Sequence, residues 1–345
     1  MRQNAVSRRG LERRVSPEKQ IILSGNRPTG RLHLGNYTGA LENWVALQPL
    51  YRCFFMVADW HVLTTDYEHT DAIADHTREM VTDWISAGLD PAESVIFVQS
   101  HVKEHAELNL ILAMLISAAR LERNPTLKEQ VRDLELEGGE GVTFGHLGYP
   151  VLQAADILMY RAHVVPVGED QLPHIEITRE LARKFNRLFG EVFPVPDGKL
   201  TKFARFPGLD GKRMSKSLGN TIDLADTPEA IQQKIQTAFT DPERKRRSDP
   251  GRPEVCLIYT YWNKFSPSTS PEIYEGCTTA KLGCVECKQR VGRAIADYLA
   301  PLREKRRALE ARPGAVDEVI RTGDEKARRA AGATMDLVRE RMHIG

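Results

Sequence analysis

Ile21-Ile22-Leu23-Ser24-Gly25-Asn26-Arg27-Pro28-Thr29-Gly30-Arg31-Leu32-His33-Leu34-Gly35-Asn36 is the stretch on which the reading of this chain turns. A short apolar run breaks into a Gly/Pro turn, the pattern of a buried strand feeding a loop. A helix is expected from Gly35-Asn36 through Trp44 towards Gln48, followed by a second apolar strand from Cys53 to Ala58. Between Asp71 and Ala87 the apolar residues Ile73, Met80, Val81, Trp84 and Ile85 share one helical face, and Gly88 is placed to end it. Val95 to Val98 makes a third strand and His163 to Val167 the next. Strands alternating with helices imply an α/β fold: a doubly wound parallel sheet, covered on both faces, with its ligand crevice at the carboxyl ends of the strands.

Past residue 222 the strand signal disappears. Helices are expected near Pro228 to Ala238, Gln289 to Glu310 and Val316 to Arg341, with a polar, Pro-rich stretch from Asp241 to Pro253. The expected organisation is therefore a basic tail over 1–19, a catalytic α/β domain over 20–222 and a helical domain over 223–345. The tail holds six basic residues among the first twenty, Arg2, Arg8, Arg9, Arg13, Arg14 and Lys19, against Glu12 and Glu18, an excess of +4 with almost nothing to bury. It reads as a mobile segment, with docking to an acidic protein partner or RNA as an alternative use. Totals of 48 Lys+Arg and 47 Asp+Glu exclude a single-sign nucleic-acid coat, so any RNA contact is local. No apolar run approaches the roughly 20 residues a bilayer requires, which reads as an unsecreted, cytoplasmic chain with no membrane partner.

Two loops carry anion chemistry. In Pro28 to Asn36 glycines at 30 and 35 let backbone approach a ligand, and His33 offers a donor to a phosphate oxygen. In Arg213-Met214-Ser215-Lys216-Ser217, cations and hydroxyls on a glycine-hinged loop suit a clamp that neutralises a departing polyphosphate. A third element, Tyr149-Pro150-Val151-Leu152-Gln153-Ala154-Ala155-Asp156-Ile157-Leu158-Met159-Tyr160, puts residues 149, 153, 156 and 160 on one helical face in otherwise apolar surroundings. A buried acid there needs a donor, either from a ligand or from an arginine or backbone amide.

His33-Leu34-Gly35-Asn36 and Arg213-Met214-Ser215-Lys216-Ser217 resemble the His-Ile-Gly-His and Lys-Met-Ser-Lys-Ser signatures of class I aminoacyl-tRNA synthetases, with Asn and Arg in place of the second His and the first Lys. Tyr149 to Leu158, followed by Val165-Pro166-Val167-Gly168-Glu169-Asp170-Gln171, is similar to the substrate helix and loop of tryptophanyl-tRNA synthetases. The resemblance runs from Ile21 to the C-terminus and implies a Rossmann-like catalytic domain and a C-terminal helical domain that grips the tRNA(Trp) anticodon. It also implies a homodimer that uses ATP and Mg²⁺ to join L-tryptophan to tRNA. It assigns His33, Asn36, Arg213 and Lys216 to catalysis. ATP would meet Arg27, Pro28, Thr29, Gly35, Asn36, Gly168, Glu169 and Asp170 together with Arg213, Met214, Ser215, Lys216 and Ser217. Asp156 would accept the indole N–H, Gln171 and Tyr149 would hold the ammonium, and Leu23, His61, Gln153, Val165 and Val167 would wall the ring. Many bacterial members have Met at the place of Gln153 and Phe at that of Leu23.

Cys256, Cys277, Cys284 and Cys287 are separated by twenty, six and two residues, and the last two form a chelating pair. Four thiolates at one site suit a [4Fe–4S] cluster, which some bacterial members of the family carry here, or Zn²⁺. Four reduced core thiols are the alternative. Arg244, Lys245, Arg246 and Arg247 are candidates for RNA phosphate contact. Two further readings are tyrosine specificity on the same scaffold and a paralogue whose tail and altered motif residues serve binding to protein or RNA.

Overall fold

The structure, a computed structural model, describes residues 19–133, 141–200 and 206–345. Residues 1–18, most of the expected basic tail, lie outside the described residues. The elements run β1 (Ile21–Asn26), α1 (Leu34–Asn36), α2 (Glu42–Leu47), β2 (Arg52–Val57), α3 (Trp60–Leu63), α4 (Ile73–Ala87), β3 (Ser94–Val98), α5 (Glu104–Ala113), α6 (Ala118–Glu122) and α7 (Pro125–Asp133). They continue with α8 (Phe144–Met159), β4 (Val164–Val167), α9 (Leu172–Phe189), β5 (Asp197–Leu200), α10 (Pro228–Gln236), α11 (Leu257–Phe265), α12 (Ser270–Thr278), α13 (Cys284–Glu310) and α14 (Ala315–Met342). A π-helical turn at Tyr37–Leu41 joins α1 to α2 into one helical run. No helix among the described residues is long and apolar enough to cross a membrane.

The five strands form one parallel sheet in the order β3-β2-β1-β4-β5. The order reverses between β1 and β4, so the doubly wound reading holds, and the crevice opens beyond Asn26 and Val167. Strand β2 shows why both faces are covered. Cys53, Phe55 and Val57 enter one core with Trp44 and Trp84, while Phe54 and Met56 enter the other with Val165, Ala155 and Phe185.

The helical region does not form a core of its own. Ile231 and Ile235 of α10, Tyr261 and Trp262 of α11, and Val291 and Ile295 of α13 belong to the same apolar cluster as Trp44 and Trp84. The structure also corrects the place of α14 within 223–345: it crosses back to the sheet, where Ala327, Ala331, Met335 and Val338 join the second core. The physical reason is its small-residue face, for a Cβ on Gly323 would stand 1.7 Å from the Ile96 carbonyl oxygen of β3. Only glycine permits that approach.

Candidate functional site

At the β1 end of the crevice, Gly30 takes φ +88, a left-handed conformation that favours glycine. His33 caps the following helix: its Nδ1 accepts from the Asn36 N–H at 3.3 Å, and Asn36 Oδ1 accepts from the His33 N–H at 3.1 Å. The Nδ1 is therefore occupied as an acceptor, which leaves the proton on Nε2. Burial lowers the His33 pKa to about 4, helped by Lys216 and Arg213, so the ring is neutral at neutral pH. Arg27 Nη1 donates to Thr65 Oγ1 at 3.0 Å, and Pro28 is buried beneath the turn.

The cationic loop folds onto this turn. Lys216 Nζ donates to the Thr29 carbonyl at 2.6 Å, and Met214 packs over Gly35, whose N–H lies 3.3 Å from the Met214 sulfur. A Cβ at Gly35 would meet the Met214 Cβ at 3.2 Å. Within the loop, the Ser215 and Ser217 hydroxyls share a hydrogen bond at 2.9 Å, and Arg213 is exposed. Asn220, just past the motif, organises it: Oδ1 accepts from the Ser215 N–H, while Nδ2 donates to Asp210 and to the Arg213 carbonyl.

Beyond β4, Gly168 leads into a short 3₁₀ turn over Glu169–Gln171. Gln171 Nε2 donates to Asp170 Oδ2 at 2.9 Å, so its amide is engaged inside the loop. Leu23 of β1 and Val165 and Val167 of β4 are buried side by side on the same face of the sheet.

Helix α8 carries the polar stripe as expected, with Thr143 Oγ1 capping its start at the His146 N–H. Tyr149 and Asp156 are buried on it, Gln153 is half-buried, and Tyr160 ends the helix. The stripe meets a network of protein donors, one of the two settings its burial allows, although none of the side chains on the Asp156 carboxylate is an arginine. Gln99 Nε2 donates to both its oxygens at 2.8 and 3.0 Å, His105 Nδ1 approaches Oδ1 at 2.6 Å and His61 Nε2 approaches Oδ2 at 2.8 Å. Burial pushes the carboxyl up, and hydrogen bonds from His105 and His61 outweigh that push, leaving its pKa at about 2. Gln99 and His105 have no exposure, whereas the His61 side chain keeps 13%. Behind them, the Tyr160 hydroxyl bonds His105 Nε2 at 2.8 Å.

Tyr149 is likewise backed by the protein. Its hydroxyl lies 2.7 Å from His174 Nε2, and Asn124 Nδ2 donates to His174 Nδ1 at 2.9 Å. That donation fixes the tautomer, so His174 Nε2–H donates to the phenolic oxygen. Gln99, His105, Asn124 and His174 escaped sequence reasoning because each partnership spans 50 or more residues, except Tyr149–His174 at 25.

In the helical region, burial raises the Cys277 and Cys287 thiols, the latter to about 12. Cys256 and Cys284 push both in the same direction and Cys277 acts on Cys287 too, so the four share one neighbourhood. Trp262 Nε1 donates to Cys287 Sγ at 3.3 Å. Among the described residues no group of three or more His, Cys, Asp or Glu is drawn close enough to hold a metal ion. Of the basic run, Arg244 is turned inward and donates to the Leu282 and Arg247 carbonyls, which corrects its reading as an RNA contact, while Lys245, Arg246 and Arg247 are exposed.

Residues 16–300 match the family model described as tRNA synthetases class I (W and Y). The tryptophan–tRNA ligase of Thermotoga maritima is 50% identical over 94% of this chain and 99% of its own length, and that of Aquifex aeolicus 41% identical over 94% and 99%. A crystal structure of tryptophanyl-tRNA synthetase from Campylobacter jejuni, complexed with ADP and tryptophan, superposes with a TM-score of 0.85 at 32% identity, covering 94% of this chain and all of that one. Paired strand-end loops, a cationic loop closed upon them and near full-length similarity together settle the matter: the chain belongs to the class I tRNA synthetases of the tryptophan and tyrosine group.

Proposed function

We propose that this chain ligates L-tryptophan to tRNA(Trp) at the expense of ATP, through a tryptophanyl adenylate. The observation that carries the substrate is Asp156, ionised and buried beside the crevice. Indole is a donor only, and a carboxylate suits it. His61 is the one partner of Asp156 that faces the crevice; the indole N–H takes its place at Oδ2 while Gln99 and His105 hold the carboxylate still. Leu23, Val165, Val167 and Gln153 wall the ring. Tyr149, its oxygen oriented by His174, and Gln171, released from Asp170, receive the ammonium. Full-length similarity to tryptophan–tRNA ligases supports this over tyrosine and over a binding-only paralogue.

In the first step the tryptophan carboxylate oxygen attacks the α-phosphorus of ATP and the bond to pyrophosphate breaks. The protein's part is placement and charge compensation. Arg27, Pro28, Thr29, Gly35 and Asn36 cradle the nucleotide, His33 offers its Nε2 proton to a phosphate oxygen, and Gly168, Glu169 and Asp170 meet the ribose and adenine. Arg213 and Lys216, with Met214, Ser215 and Ser217, follow the departing pyrophosphate, and Mg²⁺ arrives with the phosphates of ATP. In the second step the 2′-hydroxyl of the tRNA's terminal adenosine takes the tryptophanyl group and AMP leaves. The helical region over 223–345 reads the anticodon, with Lys245, Arg246 and Arg247 on phosphates.

Three finer assignments complete the reading. Cys256, Cys277, Cys284 and Cys287 would hold a [4Fe–4S] cluster, which would cross-link the helical region. The three other thiols all act on Cys287, and an all-thiolate set is the ligand chemistry a [4Fe–4S] cluster takes. Lys288 and Arg244 beside them offset its negative charge. A second copy packs on α5 and the start of α8, where Leu110, Met114 and Phe144 are exposed. The basic tail is dispensable for ligation.

Amino-acid-dependent exchange of pyrophosphate into ATP tests the central claim. Tryptophan should drive it at least a thousandfold better than tyrosine or phenylalanine, and Asp156→Asn should abolish that preference. Equal exchange with tyrosine overturns the assignment. Removing residues 1–19 should leave exchange intact. Protein purified without oxygen should be brown and contain iron; a colourless, iron-free preparation removes the cluster.

A further inference from the structure

Asp83, on α4, is a charged side chain with no exposure. Its Oδ2 accepts from the Leu32 main-chain N–H at 2.7 Å, and its Oδ1 from Arg306 Nη1 of α13. Arg306 is itself 4% exposed and reaches two further carboxylates, Glu79 at 2.5 Å and Glu310 at 3.0 Å. Glu79 in turn accepts from Arg31 Nε at 2.8 Å. Two successive residues of the loop between Pro28 and Asn36 are therefore held by carboxylates of α4, and both carboxylates are neutralised by one arginine of α13. The far side of the loop is pinned as well: Leu224 N–H donates to the Leu32 carbonyl, and Leu34 N–H to the Ile222 carbonyl, each at 2.9 Å.

Stability alone does not account for this pair. A single amide N–H is satisfied by any neutral oxygen, and a buried ion pair is commonly no more stabilising than apolar residues of the same volume. What the charges add is a fixed relation between a long helix and one peptide group. α13 runs 27 residues, from the cysteine pair to Glu310, and packs on α10 and α11.

We infer that Asp83 and Arg306 are positioning residues for nucleotide binding: they set Leu32, and with it the adjoining His33, in place to receive ATP, and they make that setting depend on α13. This rests on the proposed ligase reading, in which the Pro28–Asn36 loop meets ATP.

Tryptophan-dependent exchange on Arg306→Met and Asp83→Asn, over ranges of ATP and of tryptophan, provides the test. KM for ATP should rise about tenfold while KM for tryptophan stays within twofold, a split that general loosening of the fold does not produce. Because Arg306→Met leaves the buried Asp83 carboxylate without its cation, the paired variant Asp83→Asn with Arg306→Met is measured beside them. It keeps the fold, by its unfolding midpoint, and its KM for ATP should remain raised because the link to α13 is gone. Equal rises in both KM values, or no rise in the folded paired variant, overturn the inference. Were the wild-type protein to show no exchange with tryptophan, the ligase reading would be what failed, and equilibrium dialysis with MgATP alone would still compare wild type with the paired variant.

Discussion

Tyr160 donates to His105 Nε2, which leaves Nδ1–H of the same ring to donate to Asp156. The sequence placed residues 149, 153, 156 and 160 on one face of a helix, and that much is seen; the histidines and glutamine that complete the network come from α3, α5 and the turn after β3, and nothing local in the chain announces them. Tyr160→Phe removes the last donor and leaves a buried imidazole nitrogen unpaired, so it should cost about 1–2 kcal/mol in urea unfolding while exchange activity changes little. A second expectation concerns acid. Burial lowers the His174 pKa to about 4, and that of His33 likewise. Their unfolded value lies near 6.5, so between these limits the unfolded chain binds protons that the folded chain refuses. Their contribution is fully present above about pH 6.5 and is lost as pH falls towards 4. Melting temperature should therefore drop over that window, and His174→Gln should flatten the drop; an unchanged slope would mean the ring is protonated in the folded protein.

Helix α14 is the element whose role was least visible in advance. Its apolar periodicity announces a helix over Val316 to Arg341, but the partner is decided by Gly323, Ala327 and Ala331, small residues that a sequence reading assigns to no particular neighbour. Gly323→Ala should force α14 off the Ile96 carbonyl at a cost of about 2–3 kcal/mol. Gly332→Ala, on the same helix but facing open space, should instead stabilise by about 0.5–1 kcal/mol through helix propensity. Urea denaturation of the two variants separates packing from propensity. The strands tell the complementary story. β1 to β4 are apolar runs and were legible, whereas β5, Asp197-Gly198-Lys199-Leu200, is a polar edge strand whose only signal is its place beside β4.

At the scale of the whole molecule, the exposed Leu110 on α5 and Met114, which caps that helix, mark the face assigned to a second copy. Met114→Glu should shift the mass measured by light scattering from dimer towards monomer; a mass unchanged at dilute concentration would place the interface elsewhere. The alternation of strands and helices gave the architecture, and the two loops gave the crevice, because both are local patterns. The merging of the cores was hidden, since it joins Trp44 and Trp84 to residues beyond 230. That merger bears on dissection. Ending the chain after residue 222 would strip Ile231, Ile235, Tyr261, Trp262, Val291 and Ile295 from the apolar cluster they share with Trp44 and Trp84, and α14 from the edge of the sheet, baring greasy surface on both sides at once. The catalytic half is thus not a detachable module: expressed by itself it should precipitate, and any ancestor or engineered minimal version must first replace that lost upholstery with polar side chains.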